Sequence, residues 1–168
     1  MARKREIDRA LKRTNKEFTN MKNNSIPASI SVDVLNEAYN NMDKSIPNLL
    51  AFIQTHKEKC GYKSDAQLAA KANITPQTLS KIILRKTYTS RSNLLAIAFA
   101  LHLTLEETII FLKEFKYTLN INGRLDYILM AFLEQKFYNV YKINEVLEEN
   151  KDQFSSYFFL LGQSEDSY

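Results

Sequence analysis

The stretch Ser64-Asp-Ala-Gln-Leu-Ala-Ala-Lys-Ala-Asn-Ile-Thr-Pro-Gln-Thr-Leu-Ser-Lys-Ile82 decides the fold. Ser64 followed three residues later by Gln67 has the form of a capping box, so a helix is expected to begin at Asp65 and to turn Leu68, Ala69 and Ala72 toward a core. Thr75-Pro76 sets a capping hydroxyl before a proline at the first helical position, where the missing N–H costs nothing. A second helix is therefore expected from Pro76. Only Asn73 and Ile74 separate the two, and Asn tolerates the left-handed backbone that so tight a connection demands.

Two short helices joined by about three residues make a helix-turn-helix. On a helix starting at Pro76, the 3.6-residue period places Gln77, Thr78, Lys81 and Arg85 outward, with Leu79, Ile82 and Ile83 largely on the other side. The outward residue types suit base edges in the major groove. Gln bonds bidentately to adenine, Lys or Arg reaches O6 and N7 of guanine, and a Thr methyl meets the methyl of thymine. Ser64, Gln67 and Thr75 at helix starts, and Lys86, Thr87, Tyr88, Ser90 and Arg91 in the following polar loop, are the expected phosphate contacts, which set register rather than sequence preference. Asp65 opposes this at the phosphate edge, although a helix N-terminus also favours an acid there.

Working outward, Ser45-Ile-Pro is expected to open a helix through Leu49, Phe52, Ile53, His56 and Cys60, stopped by Gly61. Downstream, a helix is expected over about 92–102 through Leu94, Leu95, Ile97, Ala98 and Leu101, and the capping box Thr104-Leu-Glu-Glu107 opens another through Ile109, Phe111, Leu112 and Phe115. This makes five helices between residues 47 and 116. Asn122-Gly123 marks a turn before an amphipathic helix through Leu125, Ile128, Leu129, Phe132 and Leu133, with a short one over Ile143 to Leu147. The tail from Phe154 to Leu161 is too apolar to stay in water and is expected to pack on the body or on a partner chain. Upstream, Ile7, Leu11, Phe18 and Met21 form an apolar stripe on a basic helix, which suits either DNA flanking the site or a partner helix.

The pattern from Gln67 to Ile82, followed by Leu94-Leu-Ala-Ile-Ala-Phe-Ala-Leu-His-Leu103 and the Thr104 capping box, resembles the phage-repressor type of helix-turn-helix domain, the family of the lambda and 434 repressors and Cro. Ala69 corresponds to the small residue at the helix crossing, and Leu68, Ile74, Leu79 and Ile82 to the apolar positions that fix the crossing angle. Residues 104–150 also resemble the C-terminal extension of some bacterial members, through Tyr117-Thr-Leu, Asp126-Tyr-Ile-Leu, Phe137-Tyr138 and Ile143-Asn-Glu145. Two departures stand out. Asn73 occupies the frequent turn glycine, and Arg85-Lys86 replaces the glycine that often ends the reading helix, which leaves that end open by a turn.

The resemblance implies an all-α, five-helix domain over 46–118, between an N-terminal basic helical arm (1–45) and a C-terminal helical extension with an apolar tail (119–168). It implies a sequence-specific DNA-binding transcriptional repressor that reads double-stranded DNA with helix 76–85. The expected assembly is a homodimer formed by the C-terminal helices and the tail, its reading helices about 34–36 Å apart. The alternative is a protein-interaction module, an antitoxin or anti-regulator whose main partner is a toxin or another regulator.

Composition agrees. Three Gly and three Pro in 168 residues leave little turn chemistry for a many-stranded protein, whereas 45% hydrophobic residues build a core. The net charge of +4 is uneven: residues 1–24 carry eight basic against three acidic side chains and 62–92 carry six against one, while 123–168 carry four against eight. Two basic segments and an acidic C-terminus suit a polyanionic partner. One cysteine and two histidines exclude a disulfide framework and a closed four-ligand zinc site. No metal and no cofactor is expected, His56 and His102 read as packed side chains, and Cys60 as a small apolar residue rather than a thiol activated by Lys57 and Lys59. No phosphate loop, nucleophile elbow or paired-carboxylate site with an adjacent base appears, so the chain does not read as an enzyme. With no run of about 18 apolar residues and no signal-peptide core, it reads as cytoplasmic, with no membrane partner.

Overall fold

The structure, a computed structural model, describes residues 45–86, 88–154 and 158–162, together with Arg9 and Lys12. The basic arm expected over 1–45 thus lies outside the described residues, save Arg9 and Lys12, which are helical and exposed, and Ser45.

Side-chain caps set where most of the helices begin. Helix α1 (Leu49–Lys59) starts at Asn48, whose side chain accepts the Ala51 N–H at 3.0 Å. The start expected at Ser45 falls short because Ile46 turns into the core and its N–H donates to Glu114 Oε1 at 2.7 Å. Ser64 caps α2 (Asp65–Lys71), Thr75 caps α3 (Pro76–Ile83) and Ser90 caps α4 (Arg91–Ala100). At α5 (Leu105–Lys113) the capping box is complete: Thr104 Oγ1 accepts the Glu107 N–H at 3.1 Å and Glu107 accepts the Thr104 N–H at 2.9 Å. Helix α6 (Arg124–Glu134) starts at Gly123 without a side-chain cap, and Asn139 caps α7 (Val140–Glu149), which a 3-10 turn, Lys151–Gln153, follows. Among the described residues there are only helices, turns and loops, as an all-α reading requires.

Helix ends repeat one device. Past α2 the Asn73 N–H bonds to the carbonyl of Ala70 at 3.2 Å, and the Ile74 N–H to that of Ala69 at 3.0 Å, with Asn73 left-handed at φ 55°. This is the Schellman closure, which satisfies carbonyls that the helix leaves open. The same pair of bonds closes α1 at Gly61, α3 at Arg85, α4 at His102, α5 at Lys116 and α6 at Lys136. Five of these six left-handed residues carry a side chain, which is how a chain with three glycines ends so many helices.

Helices α4 and α6 form the centre. Every residue from Asn93 to Ala100 and from Leu125 to Leu133 is buried, and a helix apolar all round belongs inside. Helix α2 packs on α3 and α4, α4 on α5 and α7, and α5 on α6. One apolar cluster runs from Ile46 through Leu68, Leu79, Phe99, Phe111 and Tyr127 to Leu161, so the five-helix unit and the extension share a core. Residues 158–162 return to the body and bury Leu161 completely. Among the described residues no helix is long and apolar enough to cross a membrane.

Candidate nucleic-acid interface

Helix α3 is held from behind by Leu79 and Ile82, both buried, and by Thr78. Thr78 departs from expectation. It sits one turn before Ile82 and so shares its inward face; its N–H donates to Thr75 Oγ1 at 3.1 Å and the two hydroxyls lie 2.9 Å apart. The outward face is rotated accordingly, and consists of Gln77, Ser80, Lys81, Leu84 and Arg85. Ser80 and Leu84, the latter 56% exposed, are missing from the sequence reading, although their spacing of three and seven from Gln77 places them on its stripe.

The end left open at Arg85-Lys86 is settled by geometry. Regular helix stops at Ile83, two residues short of the expected 85. Arg85 takes φ 52°, its N–H bonds to Ile82 and that of Lys86 to Lys81, both at 3.0 Å. Its guanidinium meets Glu114 Oε2 at 3.1 Å and lies 5.5 Å from the Phe115 ring centroid. Glu114 therefore ties the end of α3 to α5 and, through Ile46, to the start of the domain. Arg85 remains about half exposed, so it presents charge from a braced position.

The phosphate-contact expectations divide. Ser64 and Ser90 are exposed and accept N–H bonds from Gln67 and Asn93, at 3.3 and 3.2 Å; an accepting hydroxyl retains its own proton to donate. Gln67 is exposed, with Oε1 accepting the Lys63 N–H at 2.6 Å, and Lys86 is exposed. The Thr75 hydroxyl is engaged in the α3 cap and with Thr78. Thr87 lies outside the described residues. Tyr88 is 90% exposed; its hydroxyl is 2.7 Å from that of Tyr117, which also donates to the Thr89 carbonyl at 2.9 Å. Partial burial and the bond to Tyr88 hold the Tyr117 phenol up at about 12, so Tyr117 stays protonated and neutral.

Arg91 departs furthest. Its guanidinium bonds to Asp126 Oδ2 at 2.5 Å and to the Thr118 carbonyl at 3.2 Å, and lies 5.2 Å from the Phe159 ring centroid. Asp126 is buried and also accepts the Asn120 N–H at 2.7 Å. Arg91 is thus the counter-ion of a buried carboxylate and is bonded to the extension. Asp65, the acid that argued against an anionic ligand, is met by Lys57 Nζ at 2.8 Å. The charges left outward around α3 are Lys81, Arg85 and Lys86, and no acid lies in its first turn, where the helix dipole favours an anion.

The two histidines lie against aromatic rings, His56 buried and His102 exposed. His56 is buried between the Phe52 carbonyl at 3.0 Å and Glu107 at 3.2 Å. His102 stacks on Tyr138 at 4.5 Å. Burial pushes the Cys60 thiol up, away from the reactive thiolate.

A helix-turn-helix family model matches residues 57–107, from the last turn of α1 to the first of α5. Neither the curated proteins nor the solved structures yield a match. Helices α6 and α7 lie outside the matched range. Residues 57–107 are a DNA-binding helix-turn-helix domain of the phage-repressor type, the class of module typical of transcriptional regulators.

Proposed function

We propose that the chain is a sequence-specific transcriptional repressor that lays α3 in the major groove. The observation that carries this reading is the outward face of α3, where Gln77, Ser80 and Lys81 stand clear of the core between flanking cations. Gln77 and Lys81 are one turn apart and can address neighbouring base pairs. Arg85, at the braced end of the helix, reaches a base or the adjoining phosphate. Ser64, Gln67, Lys86 and Ser90 serve as phosphate contacts. Thr78 and Arg91 act from inside, holding α3 and α4 in place.

One such module touches few base pairs, so the repressor is proposed to act as a homodimer on a two-fold site, paired through the C-terminal extension. Leu161 is spent inside its own chain, which leaves half-buried Phe158 and Phe159 and exposed Tyr141 as apolar contributions.

Binding to fragments from around the protein's own gene, measured across a salt series, tests the function. A selected palindromic site with affinity that falls steeply as salt rises is expected, because each neutralised phosphate releases counterions. Weak binding with no sequence preference, beside capture of a defined protein partner, overturns it in favour of an antitoxin-like interaction module. Sedimentation of the full chain at micromolar concentration reads the dimer directly, and a single-protomer mass with and without the site overturns that part.

A further inference from the structure

Residues 158–162 are held in a way that ordinary core packing does not require. The Asn144 carboxamide, itself buried, accepts the Leu161 N–H at 2.7 Å and donates to the Leu161 carbonyl at 2.8 Å. A side chain therefore supplies the paired bonds that a neighbouring strand would offer to both backbone groups of one residue. Asn73, the residue of the helix-turn-helix turn, donates to the same carbonyl at 3.3 Å. The Ser92 hydroxyl donates to the Leu160 carbonyl, and the Ser92 carbonyl accepts the Gly162 N–H at 3.4 Å. Three elements, the α2–α3 turn, the start of α4 and the middle of α7, thus direct polar groups at the backbone of a segment that forms no helix or sheet bonds of its own.

Side-chain selection is equally defined. Leu161 is completely buried within the apolar cluster, and Phe159 lies under the Arg91 guanidinium. Gly162 takes φ 81°, and a Cβ there would fall 2.7 Å from the Asn73 carbonyl oxygen and closer still to that of Ala72, so any other residue is refused. Backbone bonds for affinity, one fully buried leucine side chain and one position that admits only glycine are the parts of a peptide-recognition site.

We propose that this groove is a binding site for an apolar peptide ending in Leu-Gly after aromatic residues, filled in this chain by its own residues 158–162 acting as a tethered ligand. A single buried leucine and a few hydrogen bonds hold the strap, and Phe158, Phe159 and Leu160 are only half-buried, so it is an exchangeable occupant. Asn73 links the site to the turn between α2 and α3, which places occupancy of the groove next to the reading helix.

The test uses full-length chain with Gly162→Val, and Gly162→Ala alongside, to expel the strap. The probe is a fluorescein-labelled synthetic peptide with the sequence of residues 154–164, followed by fluorescence anisotropy, with circular dichroism to confirm folding. The glycine variants are expected to bind the peptide and to gain thermal stability from it, while wild-type chain, its site filled, binds it at least roughly tenfold more weakly. Adding Asn144→Ala is expected to weaken the peptide by roughly tenfold, since the two bonds to the backbone of the buried leucine are lost. A peptide with aspartate in place of Leu161 is expected not to bind. Folded glycine variants that ignore the peptide, or peptide binding indifferent to Asn144→Ala, overturn the proposal. So does failure of both glycine variants to fold, since the segment is then a fixed part of the core. None of these readouts involves DNA.

Discussion

At the scale of single residues, α3 separates the side chains proposed to read DNA from those that hold the helix in place. Gln77→Ala or Lys81→Ala removes an outward side chain and leaves the core intact; each is expected to relax sequence preference by about 1–3 kcal/mol per lost base contact. Lys86→Ala is expected to weaken all sequences alike and to lower the salt slope by about one. Competition titrations with the selected and a scrambled site separate the two behaviours. Thr75→Ala acts differently, because its hydroxyl caps α3 and meets Thr78; a loss of about 0.5–2 kcal/mol in urea unfolding is expected. Arg91 gives the sharpest contrast with its sequence reading. Its side chain is 26% exposed and that of Asp126 only 4%. Arg91→Ala strands a buried carboxylate and is expected to cost about 3 kcal/mol or more, whereas Asp126→Asn, which removes the charge and keeps an acceptor for the Asn120 N–H, costs less. Equal losses in denaturant titrations of the two variants speak against this assignment.

At the scale of elements, most boundaries follow from local chemistry, and so they are legible in the chain. Ser64, Thr75, Ser90 and Thr104 are hydroxyls directly before apolar-periodic runs, and each caps the helix that follows it. Helix ends are harder to read, because glycine is the usual signal and only Gly61 provides it. Arg85, His102, Lys116 and Lys136 adopt left-handed backbone because the Schellman bonds, joined after the last three by Leu103, Tyr117 and Phe137, outweigh the strain. Lys136→Gly relieves that strain at the expense of a more flexible unfolded chain, and a net gain of up to about 1 kcal/mol is expected. Lys136→Val, β-branched at φ 53°, is expected to lose stability. Thermal unfolding of the pair reads both signs, and a stable valine variant removes the argument.

At the scale of the whole molecule, stability is expected to fall on the acid side. Burial and nearby Lys71 hold His102 below its usual 6.5, so the folded state disfavours its proton. Burial raises Glu107, but bonds from the Thr104 N–H, His56 and the Thr104 hydroxyl outweigh it and leave the carboxyl below its usual 4.5. Both folded values are depressed. Their contributions are therefore present above the unfolded values and lost as pH falls through the folded ones: first below about 6.5 for His102, then below about 4.5 for Glu107. Urea unfolding from pH 8 to 4 checks this, and His102→Asn, which tolerates the left-handed backbone, is expected to flatten the upper step.

The residues alone determined the helical class, the five-helix order around the motif and the place of α3 in it, because caps, turn residues and 3.6-residue periodicity act within a few positions of each other. The outward placement of Gln77, Lys81 and Arg85 was legible on the same ground. The inward turn of Thr78 was not, since residue 78 lies near the edge of the apolar stripe, and only the packing of α3 against its neighbours decides the side. Nor were the Arg91–Asp126 pair, the Glu114 brace on Arg85, or the return of Leu161 to the motif turn. These join residues 35, 29 and 88 positions apart, and contacts at such separations exist only once the core has brought their helices together.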